Sequence, residues 1–501
     1  MRWILLIASV FGFCGLVAIS YWRQTSADVS PALLILVLIG LPILIIASVY
    51  GVCRLQKWFK ARSNVVLEQP PERHDEISTD DSKMPWLSVY AVTVQTQLGD
   101  HADQIIEGLR QFQTAVCDEE LWNANGAKLL SRRIDLAMNS SIVDSDDHTN
   151  FANGYVSSVR ARRIEALTQN IYDQLDSVLT TIAEGMAETF LSQEPHYTQQ
   201  AILHPAWQGK EATESVQNSI TEQLYVWPKQ LKILHLLPHH LSVQDQQYLQ
   251  QAAVEQMLNY GFQVDQLQWT HRITKDADET LQYLEQTITA QSRTSESSVL
   301  LVMGVDSHLD QDLIDQLLPK SPNLIPTESS FSFLITNDLT PIPTLPILSR
   351  ITMPILKGRQ KPMRVGELLE ATALNHCFDE FRHFYPSDIV NLVSDQRILI
   401  TDINSSKNMN LRELALVLQP FDLQTENLIY SGSLLESTSA LAPGLSLAIA
   451  MQHAESTEQH VPMISSSGDL LRGLWLATSY SPIATDAVTQ EEVIKEIPKN
   501  A

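Results

Sequence analysis

Two uncharged apolar runs, Trp3 to Trp22 and Ala32 to Cys53, open this chain of 501 residues and constrain it before any other signal. At a rise of about 1.5 Å per residue, each is long enough to cross a hydrocarbon layer of roughly 30 Å. Only a short polar turn, RQTSADVS, lies between them, and no small-residue cleavage site follows the first. The pair therefore reads as a transmembrane hairpin rather than a signal peptide. Arg54, Lys57, Lys60 and Arg62 crowd the segment after the second run, whereas the turn has Arg23 offset by Asp28. The positive-inside rule then places both termini and the remaining domain in the bacterial cytoplasm, multi-pass at the inner membrane.

Beyond residue 63 the chain carries 57 acidic against 28 basic residues, within an overall formal charge of −24. Such a surface repels phosphate backbones, so nucleic acid is not an expected partner. Four cysteines, Cys14, Cys53, Cys117 and Cys377, show neither a disulfide framework nor a C-x-x-C pattern. The stretch EQPPERHDEISTDDSK is Pro-rich and charged and reads as a tether.

From Trp86 onward, strand and helix signals alternate. PWLSVYAVTVQT alternates as a strand, ADQIIEGLRQF has helical spacing, and residues 155–193 hold long amphipathic patterns. LKILHLL is a strand, and Ser242 with Asp245 forms a capping box for the helix that follows. Tyr260-Gly-Phe-Gln-Val reads as a return strand and ADETLQYLEQTITA as a helix. SVLLVMGVDS is a continuous apolar strand of the buried kind. FSFLIT, RILITDI and PMISS add strands, with LRELALVL and the stretch 441–453 as helices. This alternation predicts α/β layering. Strand–helix units around 231–306 and again around 397–470 suggest two related parts.

Candidate chemistry is sparse. His240 and Asp245 fit an H-x-x-x-x-D acyltransferase spacing, but Asp245 already has the capping role. His235, His239 and His240 cluster, although Pro238 breaks the helical spacing two metal ligands would need. Ser433 and Ser437 lack a nucleophile elbow. The run Ser465–Gly468 lacks both Walker spacing and a following lysine, so a plain turn explains it. No cofactor or metal is expected.

LLVMGVDSHLDQDLIDQL resembles the "GGVDS" strand and turn of β-ketoacyl synthases in the thiolase superfamily. Other pieces fall in matching order. VTVQTQLGDHADQIIEGL resembles the opening strand–turn–helix, and IPTESSFSFLIT the strand after GVDS. ILITDINSS stands where the first strand of the C-terminal half is expected. SLLESTSALAPGLSLAIA resembles the small-residue turn and helix, and SSSGDLLRGLWLA the closing hairpin. The resemblance implies a layered thiolase-like α/β domain with two related halves. It also implies an acyl-accepting Cys at a helix N-terminus about thirty residues before GVDS. Here that zone reads HRITKDADETLQYLEQ, with no Cys, and TDINSSK and SALAPG lack the family's histidines. A thiolate and two imidazoles are needed for that chemistry, so a pseudo-enzyme is expected. Asp306, Ser307, Asp402, Asn404 and Ser439 are the residues expected around the degenerate cleft, with Asp306 as a turn cap.

The arrangement is also similar to type VI secretion adaptors for lipase effectors. That resemblance implies a membrane-anchored, non-catalytic module binding a secreted effector or a secretion-machine component. The alternatives are an acyl- or lipid-processing enzyme using His240, Asp245 and Asp306, or a structural subunit of an inner-membrane complex. The expected organisation is hairpin 1–63, linker 64–85, halves 86–330 (with a helical insertion) and 331–490, and a tail 491–501.

Overall fold

The computed structural model describes residues 85–111, 113, 115–136, 157–193, 227–294, 297–337, 341–359, 362, 371–385, 397–404, 408–419, 425–435 and 439–480. The hairpin, its basic cluster Arg54, Lys57, Lys60 and Arg62, the linker up to residue 84 and the tail all lie outside these residues. Among the described residues, no helix is long and apolar enough to cross a membrane.

The strands and helices run in chain order as follows. β1 (Trp86–Gln95) leads through α1 (Ala102–Arg110) to a small hairpin, β2 (Val116–Trp122) and β3 (Lys128–Ser131). The long α2 (Val159–Gln193) precedes β4 (Gln230–Pro238), α3 (Val243–Asn259), β5 (Leu267–Thr274), α4 (Ala277–Arg293) and β6 (Ser298–Ser307). Then come α5 (Gln311–Leu317), β7 (Glu328–Asn337), β8 (Ser349–Thr352), β9 (Ile355–Gly358) and α6 (Thr372–Phe384). The chain finishes with β10 (Leu399–Thr401), α7 (Asn408–Leu418), β11 (Leu428–Tyr430), α8 (Ala442–Thr457), β12 (His460–Ser465) and β13 (Leu471–Ser479).

One mixed sheet has the order β11-β10-β12-β13-β8-β1-β7-β6-β4-β5, with β9 added on β13. Its centre is the antiparallel pairing of β1 with β8, Leu87 opposite Ile351. Read outward from that pair, the first five main strands run β1-β7-β6-β4-β5 and the second five β8-β13-β12-β10-β11. Both sequences are first, fifth, fourth, second, third. In each, only the fifth strand, β7 or β13, is antiparallel to the rest. Two halves of one design are therefore present, as the repeated strand–helix units suggested.

Three expectations change. ILITDI forms β10, the second strand of its half; the first is β8, whose four residues between prolines give almost no periodic signal. The return strand is Leu267–Thr274, not 260–264. Gly261 at φ 95° ends α3, and the Gln266 side chain accepts the Gln263 amide (2.9 Å), closing a 3-10 turn before β5 can begin. Finally, β7 spans position 330 and pairs with β1 and β6, so the first half extends to Asn337.

Alternation divides the side chains between layers. Leu234, Leu236, Leu300, Val302, Met463 and Trp475 join α1, α4 and α8 in one apolar cluster drawn from both halves. On the opposite face, Ile233, Leu301 and Met303 pack with α2 and α3, while Leu399, Ile464 and Leu474 pack with α6 and α7. α8 is apolar nearly all round because it lies inside the shared layer, buried continuously from Ala442 to Met451. Its Gly444 and β6's Gly304 flank the Phe331 ring: an added Cβ would meet that ring at 2.1 Å and 2.5 Å.

Candidate functional site

The segment where the family resemblance calls for a nucleophile is the start of α4. Its helix begins there because the Asp276 side chain accepts the Glu279 amide (2.9 Å) and Glu279 reaches back to the Lys275 amide (3.0 Å). Acidic Asp278 and Glu279 fill the first turn. Asp278 does not point idly into a cleft. Its carboxylate accepts the backbone amides of Asp469 (2.9 Å) and Leu470 (2.8 Å) in the connection between β12 and β13, and of Leu471 (2.8 Å), where β13 begins. Burial pushes the Asp278 carboxyl above the usual range, while the three amides pull it back. Gly468 permits this approach, since a Cβ there would lie 2.0 Å from Asp278 Oδ1.

The same connection is held from the second half. Asp402, fully buried just beyond β10, accepts the amides of Ser466 (2.7 Å) and Ser467 (3.0 Å) and the hydroxyls of Ser467 (2.7 Å) and Ser465. Desolvation raises its carboxyl, opposed by these bonds. Asn410 donates to the Ser466 carbonyl (2.6 Å), and Arg472 Nη1 to the Gly468 carbonyl (2.8 Å). Arg472 is itself held by Glu413 (Nε 3.0 Å, Nη2 2.9 Å), both side chains fully buried. The amides of Ser466–Ser467 and Asp469–Leu471 are thus occupied by the protein's own carboxylates. A phosphate-binding role for Ser465–Gly468 is excluded by that occupancy.

Asp402 is therefore a structural tie. Asn404 is buried two residues further on. Ser439 opens the 3-10 turn Ser439–Leu441, which packs against α4 and leads into α8. Asp306 and Ser307 belong to a different cluster at the end of β6. Asp306 Oδ1 pairs with Arg160 Nη2 (3.1 Å), and Arg160 Nε donates to the Ser307 carbonyl (2.6 Å). Ser307 Oγ donates to Glu328 (2.8 Å), which also holds Arg163 (Nη2 2.7 Å) and the Ile134 amide (3.0 Å). These bonds fasten the first turn of α2 to the sheet. It is Ser307, not Asp306, that caps the local turn, accepting the Leu309 amide (3.3 Å). The two clusters share none of these partners.

Asp245 keeps the capping role expected of it, with Ser242 Oγ accepting its amide (3.0 Å) and donating to Oδ2 (2.7 Å); Oδ1 takes the Ser158 amide (3.1 Å). Exposed His240 lies against His239, with ring centroids 3.6 Å apart and the planes tilted by 42°. The described cysteines sit elsewhere: Cys117 is exposed on β2, and Cys377 is buried in α6, its thiol pushed up to about 12 by burial. Among the described residues no group of three or more His, Cys, Asp or Glu is placed to hold a metal ion. Asp278, Glu413, Arg472 and Arg160 escaped the sequence reading. Only the acidic D-A-D-E start of α4 carried a local signal; the others declare themselves through partners far along the chain.

No family model matches the chain, and no curated protein matches it. Solved structures do. The ishigamide ketosynthase/chain length factor is 10% identical, with 79% of this chain and 100% of that one covered, at a TM-score of 0.48. The ketosynthase from module 6 of the Bacillus subtilis 168 bacillaene synthase is 9% identical, covering 79% and 72%, at 0.46. Cerulenin-bound OleA of Xanthomonas campestris is 8% identical, covering 79% and 97%, at 0.39. None of these overlaps is close enough to assign a family.

Proposed function

We propose that residues 86–479 form a non-catalytic, thiolase-like binding module. The repeated strand order of the two halves supports the thiolase-like reading. One observation carries the loss of catalysis: the start of α4 presents Asp276-Ala-Asp278, and Asp278 is consumed in holding the β12–β13 connection. A nucleophile there would need a free, activated side chain, and a substrate would need room beside it. A carboxylate locked onto three backbone amides supplies neither. Such a scaffold acts through its surface and loops. With the hairpin read from residues 1–63, the module works at the cytoplasmic face of the inner membrane. Its specific role, following the sequence resemblance, is to present an effector to a type VI secretion machine.

The test is affinity purification of the full chain from detergent-solubilised membranes of its native cells, with and without the secretion genes. A reproducible protein partner whose recovery follows the presence of effector cargo is the expected result. Recovery of no specific protein overturns the binding-module reading. Constitutive recovery of a fixed membrane complex replaces the adaptor role with a structural one.

A further inference from the structure

β4 and β6 are adjacent parallel strands, and ligands of open α/β sheets gather at the carboxyl ends of such strands. Here β6 and the residue after it bring Asp306 and His308 to that end. The turn after β4 brings His239 and His240, and the first turn of α2 brings Arg160. Arg160 is 3% exposed and His308 is 1% exposed.

Both are incompletely bonded. Arg160 uses Nε on the Ser307 carbonyl and Nη2 on Asp306, but its Nη1 is buried with no hydrogen-bond partner. Neither ring nitrogen of His308 has a partner, and its Nδ1 is 3.8 Å from Asp306 Oδ2, beyond bonding distance. Buried donors left unmade are costly, and native proteins rarely keep them. Burial holds His308, His239 and His240 below the usual imidazole value, and in each case Arg160 lowers it further while Asp306 raises it, so the five groups share one electrostatic corner. His239 and His240, in the turn after β4, are exposed, their rings tilted by 42° with centroids 3.6 Å apart.

We propose that this corner binds a small oxyanion, the carboxylate or phosphate group of a ligand, with buried Arg160 Nη1 and His308 donating from beneath and exposed His239 and His240 donating from the turn after β4. A guanidinium nitrogen only donates, so the orphan Nη1 calls for an acceptor. Asp306 balances part of the Arg160 charge and orients it, leaving the third nitrogen for the guest. A donor-rich corner is not explained by solubility in a chain of net charge −24, whose surface is mostly acidic. An imidazole that donates to an anion also holds its proton more tightly. Binding therefore strengthens as pH falls, with the gain displaced below the usual histidine range because burial holds all three imidazoles low, His308 to about 4. Glu279 raises and Lys275 lowers His239, and Lys320 lowers His240.

Calorimetric titration of the full chain in detergent, with inorganic phosphate and separately with acetate, tests the site. Saturable binding that tightens from about pH 7 to pH 5 is expected for at least one of them. Binding of phosphate alone identifies a phosphate-bearing ligand, and acetate at equal strength identifies a carboxylate. His239→Ala with His240→Ala, both exposed, should weaken binding about tenfold without changing thermal stability. His308→Phe should abolish it. No saturable binding of either anion overturns the proposal, as does binding that ignores the exposed double variant.

Discussion

The amide of Leu471 donates to the carboxylate of Asp278 at 2.8 Å, linking the start of β13 in the second half to the first turn of a first-half helix 193 positions away. Two further amides join it, so one side chain organises the loop that closes the second half. Removing that side chain leaves three backbone donors to find water or go unpaired. Asp278→Ala should lower stability by about 1–3 kcal/mol in urea unfolding, and Asp278→Asn, which keeps an acceptor oxygen, by less.

Gly468 and Asp278 should also show coupling. Gly468→Ala forces a Cβ to 2.0 Å from Asp278 Oδ1 and should be destabilising on its own. In the Asp278→Ala background the clash is gone, so the second substitution should cost little. A double-mutant cycle reads this directly, and strictly additive effects would refute the contact.

Glu413 and Arg472 form an ion pair with both side chains fully buried. Loss of one partner strands the other charge, although Arg359 also approaches Glu413 (3.4 Å). Glu413→Ala should cost about 3–5 kcal/mol, whereas replacing both members by apolar residues of similar volume should recover much of the loss. Chemical denaturation of the single and double variants separates the two outcomes.

Acid should weaken the fold well before the carboxylates titrate. Burial lowers His235 to about 3 and His271 and His308 to about 4. As pH falls below about 6.5, the unfolded chain binds protons that these folded sites refuse, so stability drops from there toward pH 4. Fully buried His235 and His308 each contribute a slope of up to about 1.4 kcal/mol per pH unit, and partly exposed His271 less, because solvent screens it. Buried Asp402 and Asp278 act with the opposite sign, because raised carboxyls favour the folded chain as they protonate. Urea midpoints across this range should fall with pH, and fall less steeply in His235→Leu.

The layered α/β class was legible because its strongest strands are long and wholly buried: SVLLVMGVDS has no exposed residue along ten positions. The Ser242 cap was legible for the opposite reason, being local to four residues. What escaped was short or distant. β8 has four residues and is fixed by its neighbours β1 and β13 rather than by its own pattern. Asp278 looks in sequence like one more acidic residue at a helix start, and only the fold brings residues 469–471 to it. Of the expected cleft residues, Asp306 and Ser307 anchor α2, while Asp402 ties the second-half loop. Sequence order placed them near strand ends but gave no hint of which partners they would meet.

The loss of acyl chemistry is the central claim, and intact-mass analysis after incubation with acyl thioesters tests it most directly. The account predicts no covalent acyl adduct and no thioester turnover above that of an unrelated protein. A stoichiometric adduct mapping to the start of α4, or turnover abolished by Asp278→Ala in a folded protein, would contradict it.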